Sequence, residues 1–144
     1  MMVSSKSCLA IALLAVAVLL VSTRTSAQNS AEDSGARVRE LLVEKRDVLA
    51  KYVDRTESQF ATGELSSVEV LDAKLALLYA ELELAGASED RVKILRRQVE
   101  LHKTKESQVG ELYAQGNVTF KENVNAVVER IDAEIAVSRA TSEK

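Results

Sequence analysis

Proline and tryptophan are missing from this 144-residue chain, which has one cysteine, one histidine and five glycines. Without proline nothing forces a helix to break, and a chain rich in Ala, Leu, Val, Glu, Lys and Arg has the composition of long helices. Aromatics are 3% (Tyr52, Phe60, Tyr79, Tyr113, Phe120). That is too few for a thick core, but thin helical layers close on Leu, Val and Ala. One histidine, His102, and one cysteine, Cys8, exclude the clustered ligands of a metal site, and a lone thiol excludes an internal disulfide. No Gly-rich phosphate loop and no nucleophile motif is present. Carboxylate pairs such as Glu81/Glu83 and Glu89/Asp90 read as solvated helix faces. The expectation is a non-enzymatic protein with no catalytic, cofactor-binding or metal residues, and one small domain at most.

The N-terminus reads as an export signal. Lys6 supplies the positive charge, Cys8–Val21 is an uncharged apolar run of 14 residues, and Thr25-Ser26-Ala27 ends in small residues. The run falls short of the about 20 apolar residues that span a bilayer. Cleavage is expected after Ala27, making residues 1–27 a signal peptide; the alternative is an uncleaved anchor. Cys8 opens the apolar run rather than following it, so it is not placed as a lipoprotein cysteine. Residues 28–144 would lose two of 19 basic residues and none of the 22 acids, giving a net charge of −5. Such an acidic exported chain is a poor partner for nucleic acid.

What the chain has in quantity is itself. A shift of 53 residues lays Phe60–Ala85 over Tyr113–Ser138 without a gap, with six identical pairs: Ala61/Ala114, Gly63/Gly116, Glu69/Glu122, Ala73/Ala126, Ala80/Ala133 and Glu81/Glu134. Both copies (about 37–87 and 91–140) contain Gly-x-x-Ser/Thr-x-x-Glu. Glycine can end a helix in the left-handed conformation, the hydroxyl can cap the next helix, and the Glu closes a capping box. Leu65 and Val70 stand where a hydrophobic staple would sit; in the second copy Asn123 takes Val70's place. Two helices joined this tightly should fold back as an antiparallel hairpin.

The spacing predicts helix 1 from about Glu32 to Thr62, on Val38, Leu41, Leu42, Val48, Leu49, Tyr52, Val53 and Phe60. Helix 2 carries two apolar seams. One is Val68, Leu71, Leu75, Leu78, Leu82 and Ala85; the other is Val70, Ala73, Leu77, Ala80, Leu84 and Ala87. It therefore needs neighbours on both sides. The last helix keeps the first seam as Val124, Val128, Ile131 and Ile135. It dilutes the second with Asn123 and Arg130, which predicts greater exposure. Gly86 through Asp90 reads as a stop and a start, giving an all-α, coiled-coil-like four-helix bundle. The alternative is three helices with one continuous central rod, since a lone Gly costs about 1 kcal/mol.

Residues 64–90 hold seven acids against Lys74, and residues 91–105 hold six bases against Glu100. If the chain folds back near Gly86 these arms complement each other; otherwise the basic arm could face anionic lipid or an acidic partner. His102 reads as a seam-edge residue supported by Glu106. Asn117-Val118-Thr119 matches a glycosylation sequon by coincidence with the turn.

The stretches Phe60-Ala-Thr-Gly-Glu-Leu-Ser-Ser-Val-Glu-Val-Leu-Asp-Ala and Tyr113-Ala-Gln-Gly-Asn-Val-Thr-Phe-Lys-Glu-Asn-Val-Asn-Ala resemble the periplasmic helical-hairpin repeat of TolC-type outer-membrane efflux proteins. As a pattern the likeness covers roughly residues 45–140. The second copy departs from it at Asn123 and Asn125. Members of that family are far longer and carry β-barrel strands; no stretch here alternates like one. The resemblance implies hairpin architecture and a bacterial envelope, with tips that dock another periplasmic protein. It nominates Gly63, Glu64, Leu65 and Ser66, and Gly116, Asn117, Val118 and Thr119, as interaction tips. The expected function is an exported helical scaffold that binds a protein partner or itself, with membrane contact left open. The alternative is a small periplasmic helical chaperone or stress-response protein.

Overall fold

The computed structural model describes the backbone of residues 6–86 and 88–142, and the side chains of 34–86 and 88–142. Four helices follow one another: α1 (Lys6–Ala61), α2 (Ser67–Leu84), α3 (Ser88–Ala114) and α4 (Phe120–Ser142), with no strand among the described residues. The fold is an all-α four-helix bundle. The chain divides into two units, Met1–Glu40 and Leu41–Lys144. In the first, the described side chains are exposed and Arg37 pairs with Glu40 at 2.6 Å. The expected cleavage after Ala27 falls outside the residues whose side chains are described. Helix α1 begins well before the expected Glu32, because nothing from Lys6 onward breaks a helix except the tolerated Gly35.

In the second unit the helices alternate in direction. Lys45 meets Glu83 at 2.6 Å and Glu57 meets Lys74 at 2.7 Å, which sets α1 and α2 antiparallel. Ser67 Oγ donates to Gln108 Oε1 at 2.8 Å and Arg97 meets Glu81 at 3.5 Å, which does the same for α2 and α3. Lys105 to Glu129 at 2.8 Å and Arg130 to Glu106 set α4 against α3. The chain therefore folds back between α2 and α3 rather than running on as a rod, and the acidic and basic arms do face each other. The stop works differently from the glycine mechanism read in the sequence. Ala85 turns to extended backbone (φ −67°, ψ 117°) with its N–H on Glu81 O. Among the described residues only Gly63 and Gly116 have positive φ, so Gly86 is not a left-handed terminator.

Helix α2 is the centre, with Val70, Leu71, Ala73, Leu75, Leu78 and Ala80 buried on both seams. Its partners to α3 (Ser67 and Glu81 on one flank, Asp72 and Tyr79 on the other) bracket the Leu71/Leu75/Leu78/Leu82 seam. Its partners to α1, Lys74 and Glu83, bracket the Ala73/Ala80 seam. The small residues of that seam, Ala73 and Ala80, are buried. The same holds one repeat later, where Ala126 and Ala133 are the buried residues of α4 and face α3.

Two expectations are corrected by this arrangement. Helix α4 is the more exposed, as predicted, but through the other face. Its diluted seam packs on α3 because Ala126 and Ala133 are small and Arg130 reaches out to Glu106 and Glu134. The intact apolar seam of Val124, Val128, Ile131 and Ile135 is what remains exposed. On α1 the apolar stripe does not form a core: Val38, Leu41, Val48, Tyr52 and Phe60 are exposed, and in the second unit only Val53 and Thr56 are buried. Thr56 fits because its hydroxyl donates to Val53 O at 2.8 Å within the helix.

Candidate functional site

The two turns share the same backbone and capping bonds. After α1, Gly63 takes φ 77°, its N–H bonds Phe60 O at 2.9 Å, and the Glu64 N–H bonds Gln59 O at 2.9 Å. After α3, Gly116 takes φ 76°, its N–H bonds Tyr113 O at 2.9 Å, and the Asn117 N–H bonds Leu112 O at 2.9 Å. Each is a Schellman motif, which satisfies the last carbonyls of the helix and requires a residue that tolerates the left-handed region. The next helix starts in the same way twice. Ser66 N–H donates to Glu69 Oε2 at 2.8 Å while Glu69 N–H donates to Ser66 Oγ at 3.3 Å. Thr119 N–H donates to Glu122 Oε2 at 2.6 Å and Glu122 N–H to Thr119 Oγ1 at 3.2 Å. These backbone donors, then the capping hydroxyls, hold both carboxyls below their usual range.

Three antiparallel reversals bring both turns to one end of the bundle. Gly63, Glu64 and Ser66 are exposed, as are Gly116, Asn117 and Thr119, while Leu65 and Val118 are each half-buried at the same position of their repeat. The two turns share a hollow of about 320 Å³ lined by Ser66, Val68, Leu112 and Val118, and further by Asp72, Lys105 and Glu129. Of the eight residues nominated as tips, Ser66 and Val118 line this hollow.

The sequence shows an aromatic before each turn, but the residues nominated as tips leave these aromatics out. Phe60, Tyr113 and Phe120 are exposed, Phe120 at 68%, and the Tyr113 and Phe120 rings sit 6.2 Å apart at 55°. Phe60 had been assigned to the core stripe of helix 1. The signal that could have found it was its repeat partner Tyr113, since an aromatic repeated immediately before each turn belongs to the turn.

Next to the hollow lies a polar cluster that ties three helices together. Lys105 bonds Asp72 of α2 and Glu129 of α4, each at 2.8 Å. Burial acts to lower its pKa, but the two carboxylates outweigh that and hold it above the usual value. His102 is 3% exposed, with Nε2 3.2 Å from the Tyr79 hydroxyl and Nδ1 3.7 Å from Glu129 Oε2, too long for a hydrogen bond. Burial pushes its pKa down, against the pull of Glu129. The expected neighbour Glu106 is taken by Arg130, so His102 is supported by Tyr79 instead. Burial also raises Tyr79, with Glu129 adding to it, so its phenol stays protonated. Among the described residues, no group of three or more His, Cys, Asp or Glu is placed to hold a metal ion, and no helix is long and apolar enough to cross a membrane.

The arrangement defines a class, a doubled antiparallel helical hairpin with its two reversals paired at one end. No known protein family, curated protein or solved structure matches the chain.

Proposed function

We propose that this chain is an exported, non-enzymatic scaffold of the bacterial cell envelope, whose paired tips dock a helical protein partner. The observation that carries this reading is the tip end itself. A duplicated turn is presented twice, side by side, with three of the chain's five aromatic residues exposed around it. Aromatic side chains flanking a turn are the usual anchors of protein recognition. Two equivalent prongs engaging one partner gain effective concentration beyond what either has alone. The TolC-like wording of both turns supports an envelope setting, as does the charge and apolar pattern of residues 6–27.

Affinity capture from envelope extracts tests it. A scaffold recovers one or two partners in fixed proportion, and Phe60→Ser with Tyr113→Ser abolishes the capture while leaving helicity intact. Recovery of many unrelated clients, with suppression of aggregation in vitro, would make the protein a chaperone and overturn the proposal.

A further inference from the structure

The repeat leaves two surfaces without the neighbours that their counterparts have. The internal seam between α2 and α3 is formed by Leu71, Leu75, Leu78 and Leu82 on one side. On the other stand Ile94, Leu101 and the stem of Lys105, bracketed by the α3 residues that bond α2: Arg97, Gln108 and His102. Shifting by 53 residues carries the first side onto Val124, Val128, Ile131 and Ile135 of α4. It carries the second onto Leu41, Val48 and Tyr52 of α1. Every one of these seven is exposed, from Val124 at 38% to Val48 at 59%. One end of the array thus shows one half of the α2–α3 interface, and the other end shows the complementary half.

We propose that a second copy of this chain covers these faces head to tail, the α4 seam of one copy seating on the α1 stripe of the next as a continuation of the α2–α3 interface. The internal pairing fixes the register: Ile135 opposite Leu41, Ile131 opposite Val48, and Val128 opposite Tyr52. The apolar contacts carry over and the polar ones do not. Glu81 and Arg97 become Glu134 and Glu44, two acids, and Asp72 and Lys105 become Asn125 and Tyr52. About three turns of helix, near 16 Å long, bury less than the roughly 800 Å² per partner of a standard interface. The association is therefore weak, populated at about 100 μM and above. It runs through α1 and α4 rather than the tips, so it stands apart from the docking reading.

Sedimentation of the protein isolated from cells expressing the full chain tests it with two surface variants, Val48→Glu and Ile131→Glu. Each alone should lose self-association at least tenfold, with circular dichroism unchanged. Mixed one to one they should form a dimer, because the first keeps an intact α4 seam and the second an intact α1 stripe. A strict monomer for the unaltered chain at about 1 mM would overturn the proposal. So would association by either variant alone, which marks a like-with-like interface, or a mixture that stays monomeric.

Discussion

Glycine has two different roles at three positions of this bundle, and substitution separates them. Gly63 and Gly116 hold φ near +77°, where a Cβ meets no neighbour but the backbone is strained by any side chain. Alanine at either should cost about 1 kcal/mol or more in a denaturant melt. Gly110 lies inside α3, and a Cβ there would make only ordinary contact, 3.8 Å from Asn123 Oδ1. Gly110→Ala should therefore stabilise by roughly 0.5–1 kcal/mol. Equal effects at all three positions would dismantle the turn assignment. His102 gives the bundle a pH dependence whose sign follows from burial. Its folded pKa lies below the usual 6.5, so the unfolded chain binds the proton more readily. The stability contributed by the neutral ring is complete above 6.5 and is lost as pH falls below it toward the folded value. Melting temperature should fall between about pH 7 and 5, and His102→Leu should flatten that limb. The lowered Glu69 and Glu122 act further down: their contribution is present above 4.5 and lost as pH falls through their folded values.

At the scale of the elements, equivalent residues have unequal worth. Leu75 of α2 is 4% exposed and its repeat partner Val128 of α4 is 48% exposed. Leu75→Ala should cost about 2–5 kcal/mol, and Val128→Ala under about 0.5 kcal/mol, when each is measured by chemical denaturation in dilute solution. Comparable losses would mean that α4's seam is covered within the chain. The helices, both turns and their caps were legible because each rests on local chemistry, such as Gly63 with Ser66 and Glu69, which works wherever the chain goes. The break before α3 was legible from charge and a small-residue cluster, though Ala85 rather than Gly86 makes it. What the sequence could not reveal was which seam faces a neighbour. Val124, Val128, Ile131 and Ile135 look like core in periodicity, and only the packing of Ala126 and Ala133 on α3 decides otherwise. His102 was misread for the same reason, since Tyr79 is 23 residues away and reaches it only through the fold-back.

At the scale of the molecule, a doubled hairpin brings its two reversals to one end. The proposed export carries its own prediction: a cleaved protein should begin at Gln28 on N-terminal sequencing, and intact Met1 in a membrane fraction would replace cleavage with anchoring. The working end depends on the fold-back between α2 and α3, because only that reversal sets the two tips beside each other. Without it, 53 residues of rod at 1.5 Å each would hold them about 80 Å apart. A single distance therefore tests the central claim. With Cys8 replaced by Ser, spin labels at Glu64→Cys and Asn117→Cys should lie within about 20 Å, since neighbouring helices pack 8–10 Å apart and each label adds its own reach. A separation of several tens of ångströms would contradict paired tips, and with them the two-pronged docking end.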